Sequence, residues 1–193
     1  MALGDSLTQG YGLPADDGFV PQLQGWLQEN GLEVEVINAG VSGDTTAGGL
    51  SRMDWTLSEP VDAMLVTLGG NDLLRGLSPA ASRENLEAIL TRLEREGIPA
   101  MLIGLPAPGN YGPEFKLAFE RMYIDLAGQF DLPLVPNFMA PMTEKAEAGA
   151  GASFNDLMQD DHIHPNAEGV KLIVEYLGPQ VLSFLQPLTR ETN

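Results

Sequence analysis

The chain has 193 residues, 10 Lys+Arg against 27 Asp+Glu for a formal net charge of −17, and 44% hydrophobic residues. That length suits one domain, residues 1–193, with a full core, and no apolar run approaches the ~20 residues of a membrane-spanning helix. The charge repels phosphate backbones and anionic headgroups and the basic residues are scattered, which argues against nucleic acid and against stable membrane insertion.

In chain order, residues 1–3 read as an apolar opening strand. It is short against the usual ~5–6 residues, which fits a sequence that starts inside a longer natural chain. Phe19, Leu23, Trp26 and Leu27, spaced i, i+4, i+7, i+8, predict a helix. A β-rich run at 34–37, a helix over 46–57 and a strand at 63–68 follow. Leu86, Ile89, Leu90 and Leu93 then form one stripe of a helix over 82–96, stopped by Gly97. A strand at 100–105, a helix near 114–130, a short strand at 134–135 and a last helix from about 166 to 185 complete the pattern, with 187–193 expected as a flexible tail.

Five strands separated by helices long enough to cross over imply a parallel sheet covered on both faces. The expected fold is therefore α/β, a three-layer α/β/α sandwich with flavodoxin-like strand order 2-1-3-4-5. Ligands bind such sheets at the carboxyl ends of the strands, which directs attention to the loops at 4–12, 38–46, 69–76 and 104–112. Zero cysteines exclude disulfide frameworks, thiolate zinc sites and a Cys nucleophile. They leave the compartment open: periplasmic or secreted if a leader has been removed, cytoplasmic otherwise. The oligomeric state is not readable from the sequence.

The first strand runs directly into Gly4-Asp5-Ser6-Leu7, placing the Ser6 hydroxyl at the sheet's carboxyl edge. Alone, a serine after an aspartate is better read as a helix cap. The third strand ends in Gly69-Gly70-Asn71-Asp72 and the second loop contains Ser42-Gly43-Asp44-Thr45. In the order 2-1-3-4-5 the first and third strands are neighbours, so Ser6, Gly43 and Asn71 converge as donors of an oxyanion hole. Each glycine taken singly is a turn former. Only two histidines exist, both in Asp160-Asp161-His162-Ile163-His164-Pro165-Asn166. Asp161 and His164, three apart, let a carboxylate hold an imidazole that acts as base toward a serine. His162 reads as a solvated surface residue.

These four segments resemble, in order and across nearly the whole chain, the blocks of the SGNH, or GDSL, hydrolase superfamily, near the bacterial arylesterases and the multifunctional thioesterase/lysophospholipase enzymes. Residues 105–112, Leu-Pro-Ala-Pro-Gly-Asn-Tyr-Gly, are similar to the same branch. The resemblance implies Ser6 as nucleophile, the Ser6 and Gly43 N–H groups and the Asn71 amide as oxyanion donors, His164 as base and Asp161 as its orienter. It implies no cofactor and no metal. Leu73, Leu74, Leu105, Pro106, Pro108 and Tyr111, in loops bordering the site, are expected to line the substrate pocket.

A serine esterase for small, largely neutral carboxylic esters is the expected function, with short acyl chains and aryl or alkyl leaving groups. Thioester, lysophospholipid and acetyl-sugar hydrolysis use the same centre in relatives and remain open. Two readings of other classes compete. Asp156, Asp160, Asp161, His162 and His164 form an acidic histidine cluster that could hold a divalent cation; a non-catalytic ester- or glycan-binding module would keep the fold without turnover. A relaxed dinucleotide fingerprint at 10–15 is rejected, because it does not open from a strand and contains Pro14.

Overall fold

The computed structural model describes residues 1–148 and 153–190. In chain order these form β1 (Ala2–Gly4), α1 (Ser6–Gln9), α2 (Phe19–Glu29), β2 (Asn38–Gly40), α3 (Thr46–Ser51), α4 (Met53–Thr56), β3 (Met64–Thr67), α5 (Gly70–Leu74), α6 (Pro79–Arg95), β4 (Ala100–Ile103), α7 (Pro113–Phe130), β5 (Leu134–Val135), α8 (Ala140–Glu147) and α9 (Ala167–Arg190). The strands make one parallel sheet in the order β2-β1-β3-β4-β5, the expected topology.

Alternation along each strand divides the core in two. Ala2, Leu65, Met101, Ile103 and Val135 face α2 and α9, where Phe19, Leu23, Leu27, Ile173, Leu177 and Val181 are buried. Leu3, Met64, Val66, Ala100 and Leu102 face the other way, onto Leu86, Ile89, Leu90 and Leu93 of α6 and Phe119, Met122 and Leu126 of α7. Burying a side chain of this size stabilises by ~1.5–3 kcal/mol, so three-residue strands suffice once both faces are covered.

Four elements differ from expectation. The second strand is Asn38–Gly40 rather than 34–37, because pairing with β1 begins at Ala2↔Asn38 and the β-rich run lies beyond that register. The Val36 N–H is instead met by the Gln24 side chain at 2.8 Å. The helix expected over 46–57 breaks at Arg52, whose side chain is drawn back toward the sheet. Helix α8 has no counterpart in the sequence reading; residues 149–152, just beyond it, lie outside the described residues. Finally α9 continues past 185 through Arg190 with Pro179 and Pro187 inside it, so 187–190 are helical where a tail was expected, and 191–193 lie outside the described residues.

Candidate active site

Strand β1 delivers Ser6 to the carboxyl edge and turns at once into α1. Gly4 makes this possible, since a Cβ there would lie 2.0 Å from Thr8 Oγ1 and 2.9 Å from the Thr67 carbonyl. Asp5 caps α1: its Oδ1 accepts the Leu7 N–H at 3.0 Å. The carboxyl is almost fully buried, and burial pushes it up to about 6 against the opposing pull of the Leu7 N–H, the His164 charge and the Asn71 amide. The Ser6 N–H, at the first helical position, has no intrahelical acceptor.

The loop after β2 and the start of α5 lie side by side. Asn71 Nδ2 donates to the Asp44 carbonyl at 2.9 Å and reaches Asp5 Oδ2 at 3.4 Å. Gly43 sits between, at φ +85, and its N–H finds no acceptor among the described residues. Arg75, at the end of α5, donates from Nη2 to the Gly43 carbonyl at 2.9 Å. Two devices, one buried and one partly buried, fix these loops from behind. Asp72 accepts from Thr46 N (2.8 Å), Thr46 Oγ1 (2.6 Å) and Ser82 Oγ (2.8 Å). Arg52 donates to Asp44 Oδ2 (2.6 Å), the Ala39 carbonyl (2.8 Å) and the Gly4 carbonyl (3.1 Å), joining the ends of β1 and β2 to the glycine loop.

The segment before α9 brings the imidazole to the serine. His164 Nε2 lies 2.8 Å from Ser6 Oγ, and Nδ1 lies 2.6 Å from Asp161 Oδ2. A carboxylate only accepts, so the Nδ1–H donates to it and the neutral ring accepts the Ser6 hydroxyl through Nε2. Asp161 Oδ1 also accepts the N–H groups of Ile163 (2.9 Å) and His164 (3.0 Å), a turn closed by its own side chain. Burial pushes this carboxyl up, but the His164 ring and the two N–H groups outweigh that and hold it at about 2. His162, at φ +54, is exposed and outside the contact chain. The acidic histidine cluster does not assemble: among the described residues no three such side chains are grouped for a metal, and Asp156 caps the Ser153 N–H instead.

A serine, an imidazole and a carboxylate in one hydrogen-bonded line are accompanied by a match of residues 2–172 to the GDSL-like lipase/acylhydrolase family. The chain belongs to this family. It is 37% identical over 186 residues to esterase TesA of Pseudomonas aeruginosa, covering 96% of this chain and 88% of that protein. It is 35% identical over 194 residues to thioesterase 1/protease 1/lysophospholipase L1 of Escherichia coli K12, covering 100% and 86%. Among solved structures, AlinE4, an SGNH-hydrolase family esterase, superposes with a TM-score of 0.74 at 44% identity, covering 94% of this chain and 93% of that one. The resemblance read from the four blocks is thus borne out, and the protein is a carboxylic-ester hydrolase of the GDSL-like family.

Beside the serine of this GDSL-like hydrolase lies a cleft of about 140 Å³ whose walls include Leu7, Leu73, Leu74, Leu105, Pro106, Met139 and Ile163. Four of the six expected lining residues, Leu73, Leu74, Leu105 and Pro106, are there; Pro108 and Tyr111 are not. Pro108 precedes the 3₁₀ turn Gly109–Tyr111, and the Tyr111 ring lies tilted against Phe115, centroids 4.9 Å apart, while its hydroxyl donates to the Leu74 carbonyl at 3.2 Å, bracing the wall from outside. Leu7, Met139 and Ile163 were missed. Leu7 and Ile163 adjoin Ser6 and His164 in sequence. Met139 follows β5, whose carboxyl-end loop obeys the same rule that singled out the other four.

Proposed function

We propose that the protein hydrolyses small, largely neutral carboxylic esters with short acyl chains through an acyl-enzyme on Ser6. The observation that carries this reading is the unbroken line Asp161–His164–Ser6 opening onto a small apolar cleft. Ser6 Oγ attacks the ester carbonyl as its proton passes to His164 Nε2, and Asp161 holds the opposite nitrogen and balances the imidazolium. The oxyanion is met by the N–H groups of Ser6 and Gly43 and by Asn71, whose long contact to Asp5 leaves one amide hydrogen free to turn. His164 then protonates the leaving alcohol, and water repeats the cycle to release the acid.

At about 140 Å³ the cleft is smaller than the ~300–1,000 Å³ of pockets that enclose drug-sized ligands, which favours a short acyl chain. Each buried methylene contributes ~0.8 kcal/mol, so kcat/KM on p-nitrophenyl esters should climb about fourfold per carbon and level off near hexanoate. A rate that rises steadily through dodecanoate would overturn the short-chain preference. Labelling of Ser6 by a fluorophosphonate, with loss of turnover, tests the nucleophile; turnover in the labelled protein would remove it. A net charge of −17 disfavours polyanionic acyl carriers, so acyl-coenzyme A rates should rise with salt relative to a neutral ester.

A further inference from the structure

One aromatic ring outside the residues assigned above lies against the base. The Tyr11 ring centroid is 4.7 Å from that of His164, with the planes inclined by 38°. Tyr11 is 48% exposed, so core packing does not account for its place. Its backbone is instead tied to the Ser6 carbonyl and, through Gln159, to the histidine segment. Its N–H donates to the Ser6 carbonyl at 3.1 Å, and its carbonyl accepts from Gln159 Nε2 at 2.8 Å. Gln159 belongs to the histidine segment: its N–H donates to the His164 carbonyl at 2.8 Å and Nε2 also reaches the Pro165 carbonyl at 3.0 Å. Gly12, at φ +75, leaves room for this strap, since a Cβ there would lie 2.2 Å from Gln159 Oε1. The Tyr11 hydroxyl makes no hydrogen bond among the described residues, so the ring is the part that meets the histidine.

We propose that Tyr11 is a positioning residue for His164, its aromatic face stabilising the imidazolium that forms as the Ser6 proton arrives at Nε2. The inference rests on the reading of His164 as the base. An aromatic face within ~6 Å attracts a cation, and the attraction is larger for the charged ring than for the neutral one, so it acts in the transition state. Asp161 meets the imidazole at its Nδ1 and Tyr11 lies within reach of its ring. The carboxylates facing His164 are Asp161, from the same segment, and Asp5, from the turn after β1; neither is altered by a change at Tyr11.

The test compares Tyr11→Phe, Tyr11→Leu and Tyr11→Met in the full chain, with kcat, KM and the pH profile of kcat/KM on p-nitrophenyl butyrate. Phe, which keeps the face, should stay within about twofold of the parent. Leu and Met, which keep apolar cover without the face, should lower kcat about three- to fivefold with KM unchanged. They should also move the acid limb to lower pH by about half a unit, because the protonated free enzyme loses the same interaction. Phe behaving like Leu, or a lowered kcat in Leu and Met with the acid limb unmoved, would overturn the role. Ser6→Ala separates the two readings: an active Ser6→Ala variant refutes the serine mechanism, whereas an inactive one beside a parent-like Tyr11→Leu refutes the Tyr11 role alone.

Discussion

The two sides of Ser6, the proposed nucleophile, are built differently. On the side of the proposed oxyanion donors, the supporting groups Asp72, Thr46 and Ser82 are each at most 1% exposed, and Arg52 spans three segments. On the base side, Asp161, His162 and Ile163 are exposed. That loop is held by a turn closed on its own carboxylate and by the antiparallel bridge Met158↔Pro165. The contrast follows from the chemistry. Donors for a developing oxyanion stabilise it best when they need no reorganisation, whereas the base takes and returns a proton in each half of the reaction.

Changes on the two sides should therefore have different signatures. The largest effect belongs to the base side: His164→Ala is expected to lower kcat by about 10⁵–10⁶-fold with the melting temperature nearly unchanged, and Asp161→Asn by about 10²–10⁴-fold. A loss of stability as large as the loss of rate would show that the loop is as structural as its opposite. Arg52→Ala should destabilise by about 2–4 kcal/mol in urea unfolding, because it removes the ion pair to Asp44 and the side-chain bonds to the Ala39 and Gly4 carbonyls. Stability within 0.5 kcal/mol of the parent, on the order of an ordinary surface substitution, would remove Arg52 as a clamp. Asn71→Ala should cost ~2.7–4 kcal/mol of transition-state stabilisation, about two to three orders of magnitude in kcat, with the fold intact; unchanged turnover would take Asn71 out of the mechanism.

The smallest effect is a gain. Asp5 titrates near 6 when folded against 3.8 in the unfolded chain, so its contribution to stability is fully present below the lower value and is lost as pH rises through the higher one. Asp5→Asn keeps a cap for Leu7 and carries no charge. It should raise stability by about 1–3 kcal/mol at pH 8 and by nothing at pH 3, read from denaturant midpoints across that range. An equal change at both pH values would mean that ionisation of Asp5 is not what its burial opposes.

Much of this was legible because the chemistry sits beside punctuation. Ser6, Gly43 and Asn71 each follow a strand end marked by glycine, and Asp161 and His164 lie in the one histidine-bearing segment, so a parallel sheet of known order was enough to bring them together. What stayed hidden acts over distance or against local pattern. Arg52 reaches the Gly4 carbonyl 48 residues away, and in doing so interrupts a helix that the apolar spacing makes continuous. The run at 34–37 has strong β character, yet the register of β1 decides where pairing starts. Strand β5 is legible at 134–135, but residues 136–139 after it carry no glycine like those that mark the other loops, so Met139 has no local sign of its place in the cleft.

The cleft walls carry a consequence for how such an enzyme can diversify. Leu74, Met139 and Ile163 are partly or wholly exposed and come from three separate segments, whereas two of the three proposed donors are backbone N–H groups. Single substitutions at those three positions can reshape the cleft beside Ser6 while leaving Ser6, His164 and Asp161 where they are. Substrate range in this scaffold is thereby free to drift under selection without passing through an inactive ancestor.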